Sequence, residues 1–130
     1  MEGGSVVGEA RAIGDDVPIH RIGGGSVANL GLKPVEATLE PPGISTFQGG
    51  TAAEAAETMR RQHPRMAPRG RTVVGSTSAG QVRSACFDVI IDATRRFPQH
   101  ARLIHPDGVA GFNRENLERL SKCFEDHSGL

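Results

Sequence analysis

Apolar positions along the chain fall in short alternating runs separated by Gly, Pro and Asp, a pattern of brief strands with few helices between them. Val17-Pro18-Ile19-His20-Arg21-Ile22 alternates, which sets Val17, Ile19 and Arg21 on one face of a strand and His20 and Ile22 on the other. Gly23-Gly24-Gly25-Ser26 ends that run, and Val27 to Leu32 reads ambiguously. Val35 to Leu39 alternates as a second strand, Glu40-Pro41-Pro42-Gly43 marks a turn, and Ile44 to Phe47 predicts a third strand. Thr51 followed by Glu54 forms a capping box ahead of an Ala-rich stretch, so the clearest helix runs from there to about Gln62. Arg71 to Val74 reads as a strand. Ser78 with Gln81 repeats the capping pattern and opens a short helix through Val82, Ala85 and Cys86.

Phe87 to Asp92 is the most continuous apolar run, as expected of a central strand. Ala101 to His105 predicts a further strand. Pro106-Asp107-Gly108 turns the chain, and Val109 to Phe112 is expected to return as its partner. Asn113 caps a last helix with Leu117, Leu120 and Phe124 along its apolar stripe, and the chain should fray from Glu125. The order β-β-β-α-β-α-β-β-α predicts a single α+β domain over residues 17–126, with a mixed or mostly antiparallel sheet and about three helices on one face. Residues 1–16 are expected to be a flexible segment. The expected core is Ile19, Leu39, Ile44, Phe47, Met59, Val73, Val82, Val89, Ile91, Leu103, Leu117, Leu120 and Phe124.

Length and composition fit this picture. A chain of 130 residues with 37% hydrophobic residues can bury a core without disulfides or metals. Cys86 and Cys123 form no paired motif and are expected to be buried free thiols, in keeping with a reducing cytoplasm. Nothing in the sequence resembles a signal peptide or a membrane span. Formal charge is zero, and the chain has no Tyr and no Trp, which argues against a stacking platform for nucleic acid. Charge is unevenly spread, however: residues 58–87 hold Arg60, Arg61, Arg65, Arg69, Arg71 and Arg83 and no acid. Guanidinium groups suit phosphates and carboxylates, so this stretch is a candidate face for an anion or an acidic partner.

Polar side chains able to do chemistry concentrate between Arg95 and Phe112. His100, Arg102 and His105 are the catalytic candidates, since a His pair can serve as acid and base. In an extended strand His100 and Arg102 share a face while His105 takes the other. Arg21, Ser45, Arg95 and Arg96 are the ligand-binding candidates. No metal-ligand spacing occurs among the five His and two Cys, and neither a metal nor a cofactor is expected. The Gly23–Gly25 run fits neither phosphate-loop pattern and reads as a turn.

Arg21 on one strand with Ser45-Thr46 on a later strand resembles ADP-ribosyltransferase-like folds. The resemblance implies that these residues hold a nicotinamide dinucleotide while a downstream Glu does the chemistry. The sequence departs from the pattern in having no ExE-type pair on a late strand: Glu36 precedes Ser45, and Glu115 opens a helix. More broadly, PPGIS, the GGT-plus-Ala helix, TVVGST, FDVI and HARLIHPDGVAGF, between Pro41 and Phe124, resemble a group of small bacterial proteins. Those proteins are carried on mobile elements such as gene cassettes, or occur as C-terminal modules of toxin-like polypeptides. That resemblance implies a shared fold and transfers no residue role.

Two functions follow as expectations. The first is a small binding or interaction protein, a homo-oligomer with a site for a small anionic ligand. The alternative is a toxin-like enzyme acting on RNA or a nicotinamide dinucleotide. Convergence of Arg21, Ser45, His100, Arg102 and His105 in one cleft separates the two from a purely structural module.

Overall fold

The computed structural model describes residues 13–130; the first twelve, and with them most of the expected flexible segment, lie outside the described residues. Six strands form one sheet: β1 (Pro18–Ile22), β2 (Gly43–Gln48), β3 (Val74–Ser78), β4 (Asp88–Ile91), β5 (His100–Ile104) and β6 (Glu125–His127). Their order is β4-β5-β2-β1-β3-β6, and every neighbouring pair is antiparallel. Five α-helices accompany them: α1 (Val27–Leu30), α2 (Pro34–Ala37), α3 (Ala52–Gln62), α4 (Ala79–Ser84) and α5 (Arg114–Ser121). The fold is a single-domain α+β fold, as the pattern of elements predicts.

Strand alternation sorts side chains onto two faces. Ile19, Ile44, Ala101, Leu103 and Val89 lie on one face, where α1, α4 and α5 cover them through Leu30, Val82, Leu117 and Leu120. The other face presents Ile22, Phe47 and Val74, over which α3 lays Ala55, Ala56 and Met59. Three helices therefore share one face, and the longest helix takes the other. Ile13 is buried in the first of these layers, so the packed body begins ahead of the expected boundary at Val17.

Caps set the helix starts as the sequence predicts. The Thr51 side chain accepts from the Glu54 N–H while Glu54 accepts from the Thr51 N–H. The Asn113 side chain accepts from Asn116 N–H. At Ser78 only half of the box forms: its hydroxyl accepts from Gln81 N–H, but the Gln81 side chain turns to Thr77.

Several elements differ from expectation. Val35 to Leu39 is not a strand: Pro34 at the first helical position and the Glu36 carboxylate, which accepts from Lys33 N–H, close a helical turn there. Leu39 and Val35 stand exposed as a result. The strand expected over Val109 to Phe112 does not form: Gly108–Gly111 is a 3-10 turn, and Phe112 lies just beyond it. The third strand begins at Val74, so Val74 is buried where Val73 was expected. The apolar run around Val89 is an edge strand, its apolarity serving the helix layer above it. Residues 125–127, expected to fray, pair with β3 as β6. Met59, Ile91 and Phe124 are half-buried. Cys86, expected to be buried in a helix, is exposed at a positive φ of 70° just beyond α4; both cysteines are free thiols.

Candidate functional site

A defect in the sheet builds the site. β1 pairs with β3 along its whole length, but with β2 only through Ile19 and His20. Beyond that point the strands part, so Arg21 and Ile22 face Ser45 and Thr46 without pairing. Backbone groups left this way need other partners, and two side chains supply them. The Arg21 guanidinium donates to the Ser45 carbonyl at 2.8 Å, and the Glu36 carboxylate accepts from the Ser45 N–H at 3.3 Å. An ion-capable pair thus replaces a rung of the ladder.

Arg21 is 5% exposed. Its Nε and Nη2 both donate to the Asn29 carbonyl, at 3.0 and 2.7 Å, which fixes the plane of the guanidinium. Together with the bond to Ser45 this leaves two of its five N–H donors over. Burial lowers the Arg21 pKa and the Glu36 charge opposes that shift, so the group keeps its proton at neutral pH. Glu36 is 7% exposed.

The parting strands open a cleft of about 270 Å³. Arg21, Glu36, Lys33 and Ser45 give it a polar lining, and Phe47, Phe97, Met59, Met66 and His63 add aromatic and thioether groups. Phe47 and Phe97 lie with ring centroids 5.3 Å apart, and His63 lies 6.1 Å from Phe97. Such a wall fits a flat ring. A second cavity of about 540 Å³ shares Phe47 and is lined by residues of α3 and by Gln48, Gly49 and Gly50.

Of the five residues whose convergence mattered, Arg21, Ser45 and His100 line the cleft and Arg102 and His105 do not. The His100 Nδ1–H donates to the Asp92 carbonyl at 3.0 Å with the Asp92 carboxylate at 3.3 Å. In the neutral ring this leaves Nε2 as the acceptor, and it has no hydrogen-bond partner among the described residues. Arg102 stands opposite Ser45 on β5, but its guanidinium swings to the Asp92 carboxylate at 2.9 Å and to the Pro41 carbonyl. These bonds tie β5 to the Asp92 loop and to the Pro41 turn. His105 is buried on the opposite layer, edge-on to Phe87 at 4.7 Å, and its Nδ1 accepts from Asp107 N–H. Arg95 and Arg96 are exposed on the loop before Phe97 and do not line the cleft. The Gly23–Gly25 turn is closed by the Asn29 amide and by the Asp126 carboxylate, which accepts from Gly25 N–H, so its amides serve the turn. Among the described residues no three His, Cys, Asp or Glu side chains gather as a metal-binding group.

Sequence reasoning missed Glu36, Phe47, His63 and Phe97 as site residues. Only the Pro34–Glu36 signal for a helical turn could have found the first of them.

His20 also borders the cleft. Its Nε2–H donates to the Gly50 carbonyl at 3.0 Å, and its Nδ1 lies 2.8 Å from the Ser76 hydroxyl, which can serve the ring as donor or acceptor. Burial lowers its pKa below the usual 6.5. The unfolded chain therefore takes up the proton first as pH falls. This contribution to stability is complete above about pH 6.5 and is lost on acidification below it. Urea denaturation between pH 7.5 and 5 is expected to show stability falling in this window, with a shallower fall in His20→Asn. An equal fall in both would assign the titration elsewhere.

No protein-family model, no curated protein and no solved structure matches the chain. Among the described residues no helix is long and apolar enough to cross a membrane.

Proposed function

We propose that this chain binds a small ligand that joins a flat heteroaromatic ring to an anionic group, and that the ligand is a nicotinamide dinucleotide. The observation that carries the reading is the buried Arg21 guanidinium at the point where β1 and β2 part, with two N–H donors over and with Phe47 and Phe97 lining the same cleft. The cation answers the anion, and the Phe47–Phe97 side answers the ring.

A second reading, ADP-ribosyl transfer, is favoured by the Glu36 carboxylate in the same cleft. In such a transfer the bond between nicotinamide and ribose breaks, its electron pair leaves with nicotinamide, and a nearby carboxylate stabilises the cationic sugar. Glu125 and Asp126, on the late strand β6, are exposed beyond β3 and do not line the cleft. Glu36 is therefore the acid for this role, reached earlier in the chain than the family pattern implies.

Thermal shift and calorimetry with the oxidised dinucleotide, nicotinamide mononucleotide, ADP-ribose and inorganic phosphate test both readings. The dinucleotide is expected to raise the melting temperature of the wild type and to leave that of Arg21→Lys unchanged. A wild type indifferent to all four at millimolar concentration sinks the ligand site. Nicotinamide release by the wild type, lost in Glu36→Gln while binding persists, supports transfer; binding without release leaves a binding protein.

A further inference from the structure

We propose that the mouth of this cleft is a docking surface for an acidic polypeptide, which places an apolar side chain on a patch ringed by cations. Three separate segments that contribute lining residues also carry exposed cations. Lys33 lines the cleft itself. Arg65 sits in the short 3-10 turn Pro64–Met66, whose last residue lines the mouth, and Arg95 and Arg96 immediately precede Phe97 of the aromatic wall. All four cations are exposed.

Elsewhere the matching of charges is partial: six arginines are paired, while Arg71, Arg119 and Lys122 have no carboxylate within 4.0 Å among the described residues. Arg60, Arg61 and Arg69 converge on Glu57, Arg83 on Asp15 and Asp88, Arg102 on Asp92, and Arg114 on Glu118. Among the described residues Arg65, Arg95 and Arg96 have no carboxylate within 4.0 Å. The chain as a whole is neutral, so the excess at this opening is local and not a consequence of bulk charge. A cleft edged by one sign of charge draws the opposite sign towards it.

Two exposed apolar side chains accompany these cations. Val35, 69% exposed, follows Pro34 beside Lys33, and Met66, 55% exposed, lines the mouth. They give a partner something to bury that a bare phosphate cannot use, and methionine adapts to irregular apolar partners. Nucleic acid is the poorer fit. The chain has no Tyr or Trp, and Phe47, Phe87, Phe97, Phe112 and Phe124 are all buried or half-buried, so no exposed ring offers a base a stacking face. Acid runs flanking an aliphatic anchor complement both features of the rim.

The surface belongs to the same cleft as the proposed ligand site, but the inference does not depend on which small molecule occupies it. Fluorescence anisotropy with three labelled probes tests it: a peptide with Leu between runs of Glu, an all-Glu peptide, and an oligouridylate. The Leu-containing peptide is expected to bind best and to weaken as salt rises. Charge reversal of Arg65, Arg95 and Arg96 to Glu should weaken it by about tenfold or more. Val35→Ser with Met66→Ser should erase its advantage over the all-Glu peptide. Reversal of Arg71 and Arg119, exposed arginines outside the rim, should change little. Tighter binding of the oligouridylate, an equal loss on reversing Arg71 and Arg119, or no peptide binding at low salt each overturns the proposal. Because none of these readouts uses a dinucleotide, they stand even if the wild type fails to bind one.

Discussion

Replacing Arg21 by Ala is expected to destabilise the fold by about 3–5 kcal/mol, the range for breaking a buried charge pair by removing one partner. Three losses combine at this position. The Asn29 and Ser45 carbonyls lose their donors. The Glu36 carboxylate, 7% exposed, loses the nearby positive charge that opposes its burial. The parted strands lose the side chain that spans them. Urea denaturation of Arg21→Ala, Arg21→Lys, Glu36→Ala and the Arg21→Ala/Glu36→Ala double variant separates these contributions. Lys keeps the charge but cannot reach both carbonyls with a planar fork, so it should recover only part of the loss. The double variant should lose less than the sum of the single ones, because the second substitution removes an already uncompensated charge. A loss below about 1 kcal/mol for Arg21→Ala would mean that water replaces the guanidinium and that the gap between β1 and β2 is held open by other means.

The same residue marks where sequence reasoning reached the site and where it stopped. Arg21, Ser45 and His100 stood out by residue type on alternating strands, and those three line the cleft. Arg102 and His105 stood out equally, and their placement depends on partners distant along the chain. Asp92 captures Arg102, and the close approach of Gly111 and Phe87 encloses His105. Periodicity reports which face a side chain takes, but not whether a carboxylate ten residues away will claim it. The aromatic wall was illegible for a related reason: Phe47 near the end of β2 stands opposite His100 at the start of β5, and it meets Phe97, on the loop ahead of that strand, only once the register is set.

Strand boundaries followed similar lines. Local rules placed the Thr51 and Asn113 caps correctly because their bonds span three residues. They failed at Val35–Leu39, where alternation favoured a strand. There Pro34 and Glu36 together close a turn whose carboxylate also serves Ser45, nine residues on. The parting of β1 from β2 belongs to this class. No residue in either strand breaks it as Pro or a bulge would. It opens because Arg21 and Glu36 take the backbone groups of Ser45 that a partner strand would otherwise use. The cleft is therefore a consequence of two side chains competing with a ladder, and a loss of either should close it or flood it with water.

Truncating Leu120 to Ala probes the opposite layer and should cost about 2–5 kcal/mol. Leu120 is fully buried, on the face of α5 that meets Leu30, Ile44, Val82 and Leu103. It closes a core that joins the first helix of the chain to the last, so the cavity it leaves is walled by elements far apart in sequence and cannot collapse through a local shift. The spread of the expected value reflects how far α1 can follow α5 inward. Chemical denaturation gives the magnitude, and the site gives a second readout. Asn29, whose carbonyl anchors Arg21, lies on α1 next to Leu30. If α1 moves to fill the void, Leu120→Ala should weaken dinucleotide binding as well as stability, although the residue is on the face of the sheet away from the aromatic wall. Lost stability with unchanged binding would show that Asn29 holds its place through its own bonds to Ile22 and Gly24. A stability loss well under 1 kcal/mol would instead show α5 to be peripheral, and the core would then rest on α4 and the sheet alone.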